Sequence, residues 1–95
     1  MANTQYDTQP KNGQHFSTSG TSARNSTSIS ADAVTVHASA DVYFKVGDST
    51  VTASSSDYDM HLVAGAYIKF PMNGKTHIAA IQVSSAGVFY INHEK

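Results

Sequence analysis

The sequence predicts an all-β protein, a small antiparallel β-sandwich or barrel with jelly-roll-like connections and roughly six or seven strands. Apolar residues alternate with polar ones from Val34 to Val46, which is the period of a strand with one buried face. Turn residues then recur roughly every 8 to 12 positions, the spacing typical of a sandwich or small barrel. No stretch of the sequence carries an apolar stripe at helical spacing.

Residues 1–30 differ in composition from residues 31–95, and we predict an extended N-terminal arm followed by one β-domain. The arm is rich in Ser and Thr and contains no Val or Leu, so it buries too little apolar area to offset its chain entropy. By composition alone, a disordered tail is the alternative. Tyr6, Phe16 and Arg24 are the candidate interface residues, because aromatic residues and Arg dominate interface energetics. We expect the β-domain to fold without most of this arm.

The alternating stretch Val34–Val46 is predicted to be one long bent strand, or two strands joined at Ser39-Ala40-Asp41. In both cases every second residue faces the same core. Gly47-Asp48-Ser49 predicts a tight turn, and the alternation around Val51 predicts a short strand that completes a hairpin.

The next predicted strand begins at Met60, is interrupted at Gly65 and resumes over residues 66–70. Pro71 ends it, because proline has no N–H to donate to a neighbouring strand. Asn73-Gly74 is the strongest short hairpin signal in the chain.

Residues 76–83 carry apolar side chains at odd and even positions, which predicts a strand buried on both faces. A turn at residues 84–87 precedes the last predicted strand, residues 88–91. The predicted core consists of Val36, Val42, Phe44, Ile68, Ile78, Ile81 and Phe89.

Composition excludes several classes of function. The net charge is −1 with no basic run, which argues against a protein that binds nucleic acid through its phosphates. No apolar run approaches the roughly 20 residues of a membrane span, and Met1–Gln9 lacks the pattern of a secretory signal. The chain has no Cys and therefore no thiolate metal site. Charged residues make up 14% of the chain, against about 25% in typical domains, which suits a surface that packs against other protein.

The only cluster with ligand chemistry is Asp57, Asp59 and His61, whose alternate spacing would place three side chains on one face of an extended chain. We predict a turn-capping loop there, with Asp side chains accepting backbone N–H groups two residues on, and no metal site. Whether the loop binds an ion stays open.

No residues form a recognisable catalytic constellation, and we predict that the chain is not an enzyme and uses no cofactor. A catalytic relay needs a nucleophile, a base and an orienting group in mutual contact. The five histidines are scattered along the chain: His15, His37, His61, His77 and His93. Ser and Thr are so abundant that no single one of them stands out as a candidate nucleophile.

Four segments together resemble the small virion proteins of tailed bacteriophages. They are residues 47–53 (GDSTVTA), 59–65 (DMHLVAG), 76–82 (THIAAIQ) and 87–91 (GVFYI). The resemblance covers most of the chain after the arm. It departs from the pattern at Val63, where such proteins have a proline.

The resemblance implies a structural virion protein, a capsid decoration or cement protein that stabilises the shell through contacts between subunits. Implied partners are the major capsid protein or other virion proteins, with homo-oligomerisation, a trimer favoured, and no nucleic acid or membrane. Implied localisation is the virion, after synthesis in the bacterial host cytoplasm. A neck or tail component is one alternative. Another is a small carbohydrate- or receptor-binding β-module that uses exposed Tyr43, Tyr58 and Tyr67.

Overall fold

The computed structural model describes residues 13–94, and those residues form eight β-strands and no helix. Consequently, this part of the chain contains no helix that is long and apolar enough to cross a membrane. The strands are β1 (Gly13–Thr18), β2 (Ala23–Arg24), β3 (Ala33–Ala38), β4 (Val42–Gly47), β5 (Met60–Leu62), β6 (Ile68–Pro71), β7 (His77–Gln82) and β8 (Gly87–Glu94).

The strands make two antiparallel sheets of four strands each. Sheet A has the order β1-β8-β3-β6 and sheet B the order β2-β7-β4-β5. The pairs β1–β8, β2–β7, β3–β6 and β4–β5 are nested, as in a ribbon that is folded back at its middle. Two further pairs complete the sheets: β3 pairs with β8 in sheet A, and β4 pairs with β7 in sheet B. The predicted all-β, antiparallel, sandwich-like class is confirmed.

The core lies between the two sheets and takes the inward-facing residues of both. Five of the seven predicted core residues have no exposed surface: Val36, Val42, Phe44, Ile78 and Phe89. Ile68 is only half-buried because β6 is an edge strand of sheet A. Ile81 is half-buried because it faces outward from sheet B and packs with a smaller cluster there.

The alternating stretch Val34–Val46 forms two strands, β3 and β4, which lie in different sheets. The second of the two alternatives is therefore confirmed, with the change of direction at Ser39-Ala40-Asp41. The Ser39 hydroxyl accepts a hydrogen bond from the Val88 N–H, and Asp41 Oδ1 accepts one from the Ala64 N–H. These two bonds fix the crossing between the sheets while the same face of the chain stays turned to the core.

The predicted domain boundary at residue 30 is corrected for residues 13–30. The six residues of β1 pair with β8, β2 pairs with β7, and Ile29 is buried in the core. A polar segment can join a sheet because ladder hydrogen bonds come from the backbone and need no apolar side chain. Residues 1–12 lie outside the described residues, so an arm there stays a prediction.

The predicted hairpin between β4 and a strand around Val51 is wrong. Residues 51–53 are not in a strand, and β4 pairs instead with β5 and β7. The tight turn itself is present, since the Val51 N–H donates to Asp48 O. After this turn, residues 51–53 lie on the outer face of sheet B.

The predicted turn at Asn73-Gly74 is present, but it does not join paired strands. Both residues have left-handed φ values, 51° and 84°, and the Lys75 N–H donates to Met72 O. The flanking strands β6 and β7 lie in different sheets. The reason is that Met72 is fully buried just before the turn, which takes the chain across the core.

The strand predicted to be buried on both faces is confirmed as β7. His77, Ile78, Ala79 and Ala80 are all buried. Ile78 and Ala80 face the main core, whereas Ala79 faces a second cluster with Val51 and Ala53. The outer face of sheet B must therefore be covered by another segment of the chain.

Candidate binding face

The outer face of sheet B is covered by residues 48–59, which we call the covering loop. Val51 and Ala53 of this loop pack on Ala79. Tyr58 lies on Tyr43 with ring centroids 4.4 Å apart, in a stacked arrangement. The loop therefore supplies sheet B with its outer apolar layer.

Hydrogen bonds fix the covering loop on the β2 side of the sheet. The Arg24 guanidinium donates to Val51 O at 3.2 Å, and the Ser22 hydroxyl accepts from the Ala53 N–H at 2.9 Å. Arg24, which was predicted to contact a partner, makes this hydrogen bond within the domain, and its contact with a partner stays a prediction.

On the β4 side, two of the three carboxylates of the covering loop bind different groups. Asp57 Oδ1 lies 2.8 Å from Lys45 Nζ, and this hydrogen bond raises the pKa of Lys45. Asp59 Oδ2 accepts the Val46 N–H at 2.9 Å. His61 Nε2 lies 3.7 Å from Asp41 Oδ2, away from both.

The structure therefore does not bring Asp57, Asp59 and His61 together on one ligand. Within residues 13–94 no group of three or more His, Cys, Asp or Glu side chains could hold a metal ion. The cap predicted for Asp57 and Asp59, with N–H donors two residues on, is not what these side chains form, since Asp57 binds Lys45 and Asp59 accepts the Val46 N–H. A cap of that kind is found instead at Asp48, whose Oδ1 accepts from both the Thr50 N–H and the Thr50 hydroxyl. These bonds lower the pKa of Asp48.

A shallow cleft of about 430 Å³ lies between the turn that follows β4 and the turn that precedes β7. Its charged lining residues are Lys45, Lys75 and Asp48. Because Lys45 already binds Asp57 and Asp48 is an anion, the cleft has no clear preference for a charged ligand.

The outer face of sheet A is different, since none of the residues that the structure describes forms a layer over it. It carries a line of four rings perpendicular to the strands, which we call the ring row: His15, Tyr90, His37 and Tyr67. Strand register sets this order, because Tyr90 of β8 pairs with His15 of β1 on one side and with His37 of β3 on the other. Tyr67 directly precedes β6 and closes the row.

The rings of this row pack mainly face to face. His37 and Tyr90 have centroids 4.4 Å apart and planes 7° apart, and His37 and Tyr67 have centroids 4.3 Å apart and planes 26° apart. His15 is farther from Tyr90, at 5.8 Å, and tilted. The rings are therefore stacked more closely at the Tyr67 end of the row than at the His15 end.

His37 is the inner ring that links the two tyrosines. Its Nδ1 atom is buried and has no hydrogen-bond partner among residues 13–94. In the tautomer with its proton on Nε2, Nδ1 is only an acceptor, so no donor is left buried and unpaired. In that state His37 serves as a flat spacer between Tyr67 and Tyr90.

A second line of side chains runs beside the ring row, which we call the polar row: Asn92, Thr35 and Lys69. These residues are paired across β8, β3 and β6. The polar row lies about 6.6 Å from the ring row, since it is two residues along each strand at about 3.3 Å per residue. Sheet A thus presents aromatic rings next to an amide, a hydroxyl and one ammonium group.

The predicted interface residues are not part of this face. Tyr6 lies outside the described residues. Phe16 points inward from β1 and packs on the core, with its ring centroid 5.4 Å from that of Phe89. Tyr43 and Tyr58, which were grouped with Tyr67, lie on sheet B. Sequence patterns could not reveal the ring row, because its residues come from four separate segments.

No protein-family model matches the chain, and no match was found among curated proteins or solved structures.

Proposed function

We propose that this chain is a non-enzymatic structural protein of a tailed bacteriophage virion, a capsid decoration or cement protein. The observation that carries the proposal is the order of the strands. Nested antiparallel pairs divided between two four-stranded sheets are what a jelly roll contains, and we infer that architecture here. Jelly rolls recur in viral capsid proteins and in lectins. The resemblance of residues 47–53, 59–65, 76–82 and 87–91 to small virion proteins favours the first of these.

In this proposal the protein acts by adding contact area between shell subunits, as a homo-oligomer with a trimer favoured. The low content of charged residues supports contacts with other protein. Partners are the major capsid protein or other virion proteins, and the protein reaches the virion from the host cytoplasm. Tyr6, Phe16 and Arg24 are the interface candidates, and within the domain the Phe16 ring also packs on Phe89 and Arg24 also donates to Val51 O.

The test is quantitative mass spectrometry of purified phage particles. Hundreds of copies per particle support decoration, whereas about a dozen or fewer support the neck or tail alternative, because a shell repeats its subunits far more often than a single ring does. Absence of the chain from purified particles would overturn the proposal. Sedimentation of the purified full chain tests the trimer.

A second candidate function is a receptor- or carbohydrate-binding β-module. The observation that favours it is the ring row, an ordered aromatic surface on the sheet face that the described residues leave open. Retention of the full chain on immobilised glycans, compared with its incorporation into particles, separates the two functions.

A further inference from the structure

We propose that the free edge of β1 is an interaction surface for a second copy of this chain. In the proposed contact, β1 pairs antiparallel with β1 of the other copy about a two-fold axis at His15, so that the two copies of sheet A form one continuous sheet. The inference goes beyond the proposed function, since it rests on strand geometry and holds whether or not the protein belongs to a virion.

The backbone groups at the free edge of β1 follow from the hydrogen-bond pattern of sheet A. In an antiparallel sheet, successive residues of a strand bond alternately to the neighbour on one side and to the neighbour on the other. The Ser39 N–H donates to Val88 O where β3 meets β8, so Val88 and every second residue after it bond β3. Phe89 and every second residue after it therefore bond β1, and Phe89 is paired with Phe16. The residues of β1 that direct N–H and C=O groups to the free edge are Gly13, His15 and Ser17.

These N–H and C=O groups have no hydrogen-bond partner among residues 13–94. A strand edge with unpaired backbone groups is a template for pairing with another strand, and proteins block such edges with lysine, proline or a short strand. β1 has none of these features, since it is six residues long and contains no Pro, Lys, Arg, Asp or Glu. Its free edge is therefore open to strand addition.

The free edges of the other three edge strands offer less to a second chain. β6 directs Lys69 and Pro71 to its free edge, and proline has no N–H. β2 directs only Arg24 outward and β5 only His61, because these strands have two and three residues. Of the four edges of the described strands, that of β1 is the one suited to pairing.

The free edge of β1 is complementary to itself. A two-fold axis at His15 places Gly13 of one copy opposite Ser17 of the other, and the two His15 residues opposite each other. Residues so placed exchange two N–H···O bonds per pair, so the contact satisfies every group that these residues direct outward. Contacts of one surface with itself about a two-fold axis are the commonest in homo-oligomers. The trimer favoured above would instead have to join two different surfaces of the chain.

The ring row indicates the same centre. His15 is the ring of the row nearest the free edge of β1, and it lies beside Tyr90. Pairing about His15 brings the two His15 Cα atoms to within about 5.5 Å of each other, with both imidazoles on the outer face of the joined sheet. The two ring rows then meet end to end at the axis, so contacts between side chains add to the backbone bonds.

The segment before β1 is the other candidate occupant of this edge. To pair with β1 it would have to turn back directly before Gly13. Asn12-Gly13 is a hairpin signal, but the two-residue turn that it favours needs positive φ at both residues. Gly13 is instead an extended residue of β1 without a positive φ. Pro10 also lacks an N–H for such a pairing, whereas a second copy needs no turn.

The experiment combines sedimentation equilibrium of the full chain with amide hydrogen exchange of the ¹⁵N-labelled protein, followed by NMR. We expect a dimer that dissociates on dilution. The Gln14 and Phe16 amides bond β8 and should be protected at all concentrations, whereas the His15 and Ser17 amides should exchange freely in the monomer. Exchange at His15 and Ser17 should slow as the concentration rises, because dimerisation pairs them.

Ser17→Pro removes a donor from the free edge without removing a bond to β8. It should weaken dimerisation at least about tenfold, since the symmetric contact loses two hydrogen bonds. Lys69→Pro is the matched control, because it makes the same change at the free edge of β6, and it should leave dimerisation unchanged. His15→Glu is a second variant that keeps the backbone intact and should weaken the dimer by placing like charges opposite each other. Thermal unfolding by circular dichroism verifies that each variant is folded.

Four results would overturn the inference. The first is a monomer at the concentrations used for NMR, whether or not the His15 and Ser17 amides are protected. The second is a trimer, which would support the stoichiometry favoured above. The third is a dimer in which these two amides still exchange freely. The fourth is equal weakening of the dimer by Ser17→Pro and Lys69→Pro. None of these results depends on the copy number in particles, so failure here is distinguishable from failure of the virion proposal.

Discussion

Asn25 and Ile78 are joined by a buried hydrogen bond, in which Asn25 Oδ1 accepts the Ile78 N–H at 2.8 Å. Asn25 is 4% exposed, and its Nδ2 also donates to Thr27 O at 2.6 Å. One side chain therefore satisfies a backbone donor of β7 and fixes the turn that follows β2. This bond is a main link between the polar N-terminal segment and the core.

Asn25→Ala should destabilise the protein by about 1–3 kcal/mol, the cost of leaving a buried N–H group without an acceptor. Urea unfolding followed by circular dichroism measures this. Ser26→Ala, at the exposed next position, is the control and should change stability by no more than about 0.5 kcal/mol. Equal stability of the two variants would contradict the structural role of Asn25.

Phe44→Ala should lower the free energy of unfolding by about 3–5 kcal/mol. Phe44 is fully buried and its ring contacts those of Phe70 and Phe89, with centroids 5.1 and 5.6 Å away. In a domain of this size the variant could be unfolded at ambient temperature. Val63→Ala, at a position that is 55% exposed, should be nearly neutral. A Phe44→Ala protein with the wild-type melting temperature would refute the assigned core face of β4.

Deletion of residues 1–25 should abolish cooperative folding, contrary to the expectation from composition. The deletion removes β1, which pairs with β8 over six residues, as well as β2 and Asn25. Deletion of residues 1–12 is the matched control, because it leaves every described strand in place. Thermal melts and ¹⁵N NMR spectra compare the two truncations. A sharp melt in the longer deletion would show that β1 and β2 are dispensable.

Gly47→Ala should destabilise the covering loop by about 1–3 kcal/mol, the usual cost of overpacking. A Cβ atom at residue 47 would lie 2.8 Å from the side chain of Val51. Val51→Gly removes both atoms, Cβ and Cγ2, that would lie 2.8 Å from the new Cβ, so the double variant should lose less than the sum of the two single losses. Thermal unfolding of all four proteins measures the coupling, and strict additivity would argue against the contact.

Thr50→Val should raise the pKa of Asp48 part of the way to its usual value of 3.8. The hydroxyl bond from Thr50 is lost while the bond from the Thr50 N–H remains. A carboxylate with a lowered pKa in the folded state stabilises the fold above its unfolded pKa and loses that contribution as pH falls through the folded pKa. The wild type should therefore lose more stability below about pH 3.8 than the variant does. NMR titration of the Asp48 carboxyl carbon gives the shift, and an unchanged pKa would be the contrary result.

The alternation of Val34, Val36, Val42 and Phe44 predicted the inward faces of β3 and β4, because period two directly reflects the geometry of a strand. It could not show that β3 and β4 lie in different sheets, since side-chain pattern does not specify the partner strand. The Asn73-Gly74 turn was misread for the same reason: left-handed φ values fix a turn, but not whether the flanking strands pair.

The polar segment before Ile29 was misassigned because its attachment depends on backbone ladders and on Asn25, which leave no apolar signature. The ring row was missed because it exists only through register. His15, Tyr90 and His37 are far apart in the chain and become neighbours only when β1, β8 and β3 are aligned. The exposure of Tyr67 is the one feature of the ring row that was expected from the sequence, and the structure confirms it.

The nested pairing of the strands has a consequence for how the chain acquires its structure. Gly13 pairs with Asn92, so the outermost ladder closes a loop that contains nearly the whole domain. Contacts this distant in sequence slow folding, because chain entropy is lost before the contact energy is gained. During synthesis β1 and one edge of β3 must wait for β8 to leave the ribosome, and until then they are unpaired and open to association with other chains. The inner pair, β4 with β5, is the most local ladder and the natural place for folding to begin.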